Sequence, residues 1–250
     1  MDIKTILEQA DAYEQQLPEF PGGLEAEGSA IAAYLDSTIL KPDATPEQIH
    51  DLCLDAQQYG FAAVCINPLF VTRATRYLKG STVKNCTVIG FPLGAVPTSI
   101  KTTETILYVK EGAEEVDMVI PVGMLKSGAY GYVYTDIAAV VQEAHDRHAL
   151  TKVILEMGLL NKREKIIACL LSKAAGADFV KTSTGMMAGG ATVEDVELMR
   201  RVVGKNMGVK AAGGIRSLAD ARAMLKAGAN RLGTSAAVKI IQEATGEAGK

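Results

Sequence analysis

Asp178-Phe179-Val180-Lys181-Thr182-Ser183-Thr184-Gly185 opens as an apolar strand and then sets a lysine where a buried strand should continue. Lysine is rarely enclosed unless it is paired or functional. Hydroxyl residues and a glycine follow at once, so the chain turns beside the ammonium. Met207-Gly208-Val209-Lys210-Ala211-Ala212-Gly213-Gly214 repeats the pattern. One such lysine has an ordinary explanation, snorkelling or pairing with a carboxylate. Two of them, both at strand ends before glycine-rich turns, favour chemistry. Desolvation or a neighbouring cation frees a lysine amine for imine formation.

Working outward from these two strands, the chain alternates without interruption. Strands are expected over 31–38, 62–67, 85–91, 115–121, 152–157, 178–184, 208–212 and 231–234. Helices are expected over 45–59, 68–79, 97–111, 130–147, 162–175, 192–203, 218–227 and 236–244. Thr45 can cap the first of these, with Pro46 suited to its first turn and Gly60 to its end. The strands are short, apolar and rich in Val and Ile, as parallel strands buried on both faces should be. Eight such units argue for an α/β fold, a single (βα)8 TIM barrel. An open doubly wound sheet is the alternative, but its usual GxGxxG turn does not follow the first strand, which reads Leu35-Asp36-Ser37-Thr38. Ahead of the barrel, Ile3, Ile6, Leu7, Ala10, Tyr13 and Leu17 form a helical stripe that ends at Pro18, Pro21, Gly22 and Gly23. The expected division is a leading helix and linker over 1–28 packed across one end, a barrel over 29–246, and a flexible tail over 247–250.

The 250 residues, with 48% hydrophobic and 22% charged side chains, suit one such domain. A net charge of −3 implies no nucleic-acid or anionic-membrane surface. No apolar run reaches the roughly 18 residues of a membrane span, and Met1-Asp2-Ile3-Lys4-Thr5 does not read as a signal peptide. Cys53, Cys65, Cys86 and Cys169 are widely spaced with no CxxC pair, as expected of reduced thiols in a cytoplasmic protein.

A barrel builds its site where strands end and βα loops begin. The polar residues there are Asp36, Thr38, Lys41, Cys65, Asn67, Asp117, Glu156, Lys181, Lys210, Thr234 and Ser235. Asp117, inside Glu115-Val116-Asp117-Met118-Val119-Ile120, is costly unless paired, and one of the two lysines is its natural partner. On these residues alone, a structural ion pair and a proton-transfer role stand level. For Glu156 the structural reading is favoured. Ala212-Gly213-Gly214-Ile215-Arg216 and Leu232-Gly233-Thr234-Ser235 follow strands seven and eight, where barrels often hold phosphate on backbone N–H groups; two plain tight turns are the alternative. His50, His145 and His148 fall away from the strand ends, so no catalytic metal is expected.

Several long motifs then point to one family. Leu40-Lys41-Pro42-Asp43-Ala44-Thr45, Phe61-Ala62-Ala63-Val64-Cys65, Thr87-Val88-Ile89-Gly90-Phe91-Pro92-Leu93-Gly94, Gly176 to Gly185, Gly189-Gly190-Ala191-Thr192 and Val209 to Arg216 resemble the deoxyribose-phosphate aldolase family of class I aldolases. The resemblance spans about residues 31 to 240. It implies reversible cleavage of 2-deoxy-D-ribose 5-phosphate to D-glyceraldehyde 3-phosphate and acetaldehyde, with no cofactor beyond a covalent lysine imine. It makes Lys181 the imine lysine, Lys210 its second lysine and Asp117 the proton-relay aspartate. Gly185, Gly213, Gly214, Gly233 and Ser235 match phosphate-loop positions, with Thr38, Cys65 and Thr182 lining the pocket. Ser37, Met157, Met186-Met187-Ala188 and Ala236 depart from the family's usual residues, which bears on substrate affinity and loop geometry. Two alternatives remain: a phosphosugar isomerase or synthase barrel, against which the paired lysines count, and an aldolase-like barrel kept or engineered as a scaffold.

The expected partners are a small phosphorylated sugar and further copies of the chain. Ile106-Leu107-Tyr108-Val109 cannot be hidden by one helical face, and Tyr132 falls off the inward stripe of the next long helix. In the family's pattern, Ile106 and Leu107 replace residues that are commonly charged. An apolar patch on adjacent helices marks a contact surface, here a homo-oligomer interface through Ile106, Leu107 and Tyr132; ordinary scatter of exposed apolar residues stands level with it.

Overall fold

The computed structural model describes residues 2–187 and 189–247. Eight parallel strands close in sequence order: β1 (Leu35–Ile39), β2 (Ala63–Ile66), β3 (Lys84–Ile89), β4 (Glu115–Val119), β5 (Leu150–Ile154), β6 (Phe179–Lys181), β7 (Gly208–Ala212) and β8 (Arg231–Thr234), with β8 pairing back to β1. The helices are α1 (Ile3–Gln15), α2 (Pro46–Tyr59), α3 (Val71–Tyr77), α4 (Thr98–Lys110), α5 (Val122–Lys126), α6 (Tyr130–His145), α7 (Lys162–Ala174), α8 (Val193–Val203), α9 (Leu218–Lys226) and α10 (Ala237–Thr245). The expected TIM barrel is therefore the observed one.

Local chemistry sets the helix ends. Thr45 accepts from Gln48 N while Gln48 returns the bond, with Pro46 in the first turn and left-handed Gly60 at the end of α2. Asn161–Glu164 and Ser217–Asp220 make the same reciprocal caps on α7 and α9. Ile49, Ile137, Ile167, Val196 and Ile240 turn inward, and the apolar core is the layer between these helices and the outer face of the sheet.

Several segments differ from the expected pattern, among them β6, which spans Phe179–Lys181 and does not run on to residue 184. Residues 31–34 are not strand: Gly28–Tyr34 is a 3-10 turn packed against α10, because this alanine-rich run lacks the alternation a strand needs. β5 runs over Leu150–Ile154, two residues earlier than expected. α5, opened by Pro121, was not foreseen.

The leading helix lies along the flank, not across an end. α1 packs on α7, where Arg163 pairs with Asp11 at 2.6 Å and Lys162 donates to the Glu14 carbonyl. The linker after it crosses the end opposite the βα loops. Arg201 donates to the Pro18 carbonyl, Leu24 N donates to the Leu225 carbonyl, and Arg222 pairs with Glu27. Of the expected tail, residues 248–250 lie outside the described residues. Among the described residues, no helix is long and apolar enough to cross a membrane.

Candidate active site

Barrel interiors are usually filled with branched apolar side chains. This one is divided. On the β1–β3 side, Leu40, Ala63, Cys65, Cys86 and Val88 form a small apolar cluster. Toward β4–β8 a cluster of charged side chains enters the interior beside apolar Val119, Ile154 and Phe179. Register explains how: Asp117 on β4 lies directly across from Lys152 on β5, and Lys181 on β6 directly across from Lys210 on β7. In-register neighbours point to the same face, so these charges converge.

Asp117 is the hub. Its Oδ2 accepts from Lys181 Nζ at 2.6 Å and Lys210 Nζ at 2.8 Å, and its Oδ1 from Lys152 Nζ at 2.8 Å. Behind it, Lys152 also pairs with Glu115 at 2.7 Å, and Lys210 forms an ion pair with Asp36 Oδ2 at 2.6 Å. Arg231, at the start of β8, donates to Asp36 at 2.7 Å and Glu115 at 2.6 Å and closes the circuit. Asp36, Glu115, Asp117, Lys152, Lys181 and Lys210 are all buried.

Burial works to raise the Asp117 carboxyl, but Lys152, Lys181 and Lys210 together hold it well below the usual carboxylate range. Asp36 is brought to about 2: burial opposes ionisation, and Lys210, Arg231 and Lys152 overcome it. Burial works to lower Lys210 and Lys152 as well. Asp117 and Asp36 win for Lys210, and Asp117, Cys86, Glu115 and Asp36 for Lys152, so both stand above the ordinary lysine range.

Above Lys181 opens a cavity of about 500 Å³ at the βα-loop end. Thr38, Lys181, Gly185, Gly213, Gly214, Gly233 and Ser235 all line it, as do Lys41, Met186 and Arg216. The two loops after β6 and β7 are locked together. Ala191 N donates to the Gly213 carbonyl at 2.9 Å, and a Cβ on Gly190 would meet that oxygen at 2.7 Å. Gly213 and Gly214 both take positive φ, +93° and +83°, a backbone that favours glycine. Gly233 has a second task beside the cavity: a Cβ there would press on Lys210 Cε at 3.1 Å.

Not every expected residue reaches the cavity wall. Asp117 and Lys210 sit beneath Lys181. Cys65 is buried beside Asp117 Oδ2, at 3.9 Å. Thr182 is a departure from the expected pocket lining, because its hydroxyl is spent between strands, donating to the Ala212 carbonyl and accepting from Ala212 N. Ser37 is buried next to Asp36, and Met157 N donates to the Thr182 carbonyl. Ala236 follows the cavity-lining Ser235, its N–H donating to Thr234 Oγ1. Glu156 takes a left-handed φ of 55° and accepts from the Thr184 hydroxyl at 2.6 Å, bracing the loop after β6. Lys152, Glu115 and Arg231 were missed. The signal for Lys152 was its place in a strand paired with Asp117, hidden by the two-residue shift in β5.

Cys65, Cys86 and Asp117 bring possible metal donors within 4.8 Å of one another. Both Asp117 oxygens are already engaged by ammonium groups, and a metal ion there would face three lysines, so the donor set does not suit a cation.

Residues 30–243 match the family described as DeoC/LacD family aldolase. The chain belongs to this family. The deoxyribose-phosphate aldolase of Caldanaerobacter subterraneus subsp. tengcongensis is 58% identical over 214 residues, covering 85% of this chain and 93% of that one. A crystal structure from Coccidioides immitis, provisionally named a deoxyribose-phosphate aldolase, superposes with a TM-score of 0.91 at 40% identity, covering 97% and 98% of the two chains. The tetrameric deoxyribose phosphate aldolase of Aeropyrum pernix gives 0.81 at 34% identity, covering 97% of each. An aldolase needs a site that can hold a carbanion equivalent.

Proposed function

We infer that this chain reversibly cleaves 2-deoxy-D-ribose 5-phosphate to D-glyceraldehyde 3-phosphate and acetaldehyde through an imine on Lys181. The observation that carries this reading is Lys181 itself. Of the three lysines on Asp117, it is the one in the cavity wall.

Charge supports the assignment. Asp36, Glu115 and Asp117 face Lys152, Lys181, Lys210 and Arg231. With every group ionised the network carries one cation too many, and Lys210 and Lys152 are held above the ordinary lysine range, so neither is suited to act as the free amine. The free amine attacks the substrate aldehyde carbon, and the carbinolamine loses water to give an iminium. The C2–C3 bond then breaks as the C3 hydroxyl loses its proton. Glyceraldehyde 3-phosphate leaves, and the electron pair stays on the enamine of acetaldehyde. Protonation at C2 and hydrolysis release acetaldehyde and restore the lysine. Asp117, Lys210 and a water move these protons, and Asp117 remains beside the iminium as its counter-charge. The imine is the electron sink, so the reaction asks for no other cofactor. The phosphate sits against Gly185, Gly213, Gly214, Gly233 and Ser235, with Arg216 and Lys41 at the rim.

The reading carries a cytoplasmic location, consistent with four buried, unpaired thiols. It also carries assembly into a homo-oligomer, as in the tetrameric Aeropyrum pernix relative. The test is borohydride reduction in the presence of acetaldehyde. An ethyl group should be found on the peptide containing Lys181. Labelling of Lys210 in its place would overturn the assignment.

A further inference from the structure

Two cysteines that the aldol chemistry does not use face each other inside the barrel. Cys65 on β2 and Cys86 on β3 are direct partners in the ladder. Neighbouring strands lie about 4.8 Å apart, within the Cα separation of about 4.4–6.8 Å that a disulfide spans. Being in register, both side chains enter the interior. Both thiols aim at one carboxylate: Cys86 Sγ lies 3.2 Å from Asp117 Oδ1 and Cys65 Sγ 3.9 Å from Oδ2. The two sulfurs are within 4.8 Å of each other.

The pair is asymmetric in a useful way. The neighbouring Cys86 thiol, with the Lys210 and Lys181 ammonium groups, holds the Cys65 thiol below the ordinary range, whereas burial pushes Cys86 well above it. Cys53 on α2 and Cys169 on α7 lie in the apolar layer outside the sheet, where burial pushes both thiols up, Cys53 to about 12. Among the described residues neither has such a partner.

We propose that Cys65 and Cys86 form a peroxide-oxidisable dithiol whose disulfide switches the site off. Access follows the substrate's path. Lys181 stands in the cavity wall and donates to the same Asp117 oxygen that the Cys65 thiol faces, so a solute smaller than the aldehyde needs to pass one side chain further. The Cys65 thiolate attacks one oxygen of hydrogen peroxide. The O–O bond breaks, leaving a Cys65 sulfenic acid, and the departing hydroxide takes up the proton Cys65 has shed and leaves as water. The Cys86 sulfur then attacks the Cys65 sulfur, and the S–O bond breaks. That hydroxide leaves as a second water with the Cys86 proton. Two thiols are oxidised by two electrons and one peroxide is reduced to two waters.

The disulfide has no S–H to offer. Asp117 loses its contacts from both thiols, and Lys152 loses its 3.3 Å contact with the Cys86 thiol. The anchor of Lys181 is repositioned, so this inference rests on the imine reading above for its effect on activity, though not for the bond itself.

The experiment treats the full chain with hydrogen peroxide, removes the excess with catalase, and reads thiols, peptides and activity together. Titratable thiols in denaturant should fall from four to two, and peptide mapping should find Cys65 linked to Cys86. Aldolase activity should drop at least tenfold and return with dithiothreitol. Cys86→Ala should form no link and keep its own starting activity through the treatment; Cys65→Ser serves the same purpose if that variant folds poorly. Four remaining thiols, a link to Cys53 or Cys169, or equal inactivation of the wild type and both variants would each overturn the proposal. So would a mapped Cys65–Cys86 link with undiminished borohydride trapping at Lys181. Trapping that fails in the untreated enzyme would instead remove the imine reading, and leaves the mapped bond as the measure of the dithiol.

Discussion

Among the described residues, two lysine–aspartate arrangements are shut away from bulk water, and of these two the one inside the barrel borders a cavity. Between α4 and α6, Lys101 pairs with Asp136 at 2.5 Å and donates to the Val119 carbonyl at 2.8 Å, while Thr98 donates to the other Asp136 oxygen. One cation meets one anion, and every strong partner is internal. Burial lowers Lys101 from its ordinary range, with Asp136 opposing the shift. Inside the barrel, three ammonium groups divide one carboxylate, Asp117, and one of the three stands in an open wall. Both lysines are enclosed. Enclosure alone does not make an amine reactive; the difference lies in how many cations draw on the counter-charge, and in whether a substrate can arrive. The Lys101 pair is a pin between two helices, and the Asp117 cluster is the one that borders the proposed site.

The sharpest way to break that contrast is to remove each lysine in turn. Lys181→Leu removes the imine route itself and should lower kcat by more than about 10⁴-fold, the most that a positioned acid or base contributes, with only a small change in urea stability. Lys101→Met should do the reverse. It strands Asp136 as an unpaired buried charge, an effect worth about 3–5 kcal/mol of stability, while kcat of the folded enzyme stays within about threefold of wild type. Lys101→Met with Asp136→Leu should recover most of the stability. A large kcat loss in Lys101→Met at full stability would make the helix pin part of the site.

Next in size is the effect of thinning the cluster. Lys210 repels a proton on its neighbour, so Lys210→Leu should move the pH at which half the enzyme forms imine upward. Its kcat should fall by about 10²–10³-fold, within the range for a positioned acid–base group. Borohydride trapping across pH reads the first effect and steady-state rates the second. An unmoved trapping midpoint would mean that Lys210 acts only in proton transfer.

Asp36 gives a smaller effect on a different axis. Its carboxyl is depressed from 3.8 to about 2, so its contribution to stability is complete above about pH 4 and is lost as pH falls through about 2. The shift corresponds to about 2 kcal/mol. Asp36→Asn should therefore be less stable than wild type at neutral pH and lose less on acidification. Parallel acid-unfolding curves for the two proteins would show that Lys210 and Arg231 find their counter-charge elsewhere.

The same contrast explains what could be read from the chain alone. Lys181, Lys210 and Asp117 each interrupt an apolar run near a strand end, and a charge in that setting is conspicuous. Lys152 interrupts one too, in Leu150-Thr151-Lys152-Val153-Ile154, but a strand drawn from residue 152 puts it at the edge, where a lysine looks solvated. Arg231 and Glu115 open their strands and were obscure for the same reason. Glu115 is buried and Arg231 half-buried through ion pairs that run from β8 to its neighbour β1 and across to β4, which no local pattern records. Lys101 was hidden among threonines on a helix whose outward residues are as apolar as its inward ones. The left-handed turn at Glu156 and the spent hydroxyl of Thr182 are tertiary facts of the same kind. The alternation of eight strands and helices, by contrast, is a local signal repeated along the chain, and the barrel followed from it.

The smallest expected effect on catalysis belongs to the outer face of the helices that Lys101 and Asp136 tie together. That pin holds α4 and α6 as one surface. Leu107 and Tyr132 are exposed on it at 46% and 41%, and Ile106 is half-buried, whereas Val133, Ile137, Val140, Val141 and Ala144 turn inward. Exposed apolar side chains are common singly, so Leu107 or Tyr132 alone would need no explanation. Thr98 and Lys101 at the start of α4 meet Asp136, so Leu107 lies further down this flank and Tyr132 a turn above Asp136; the flank is thus apolar toward both ends, and we propose that a second copy of the chain covers it to form a homo-oligomer. The cavity opens at the βα-loop end, away from this flank, so the triple change Ile106→Glu, Leu107→Glu and Tyr132→Glu should leave activity within about twofold. Light scattering should show a smaller particle, because six or more new carboxylates brought together across a shared face repel at short range. An unchanged mass with all three glutamates in place would put the interface on another flank. A fall in activity together with a fall in mass would show that the pinned helices transmit to the Asp117 cluster after all, and the separation between pin and site would have to be given up.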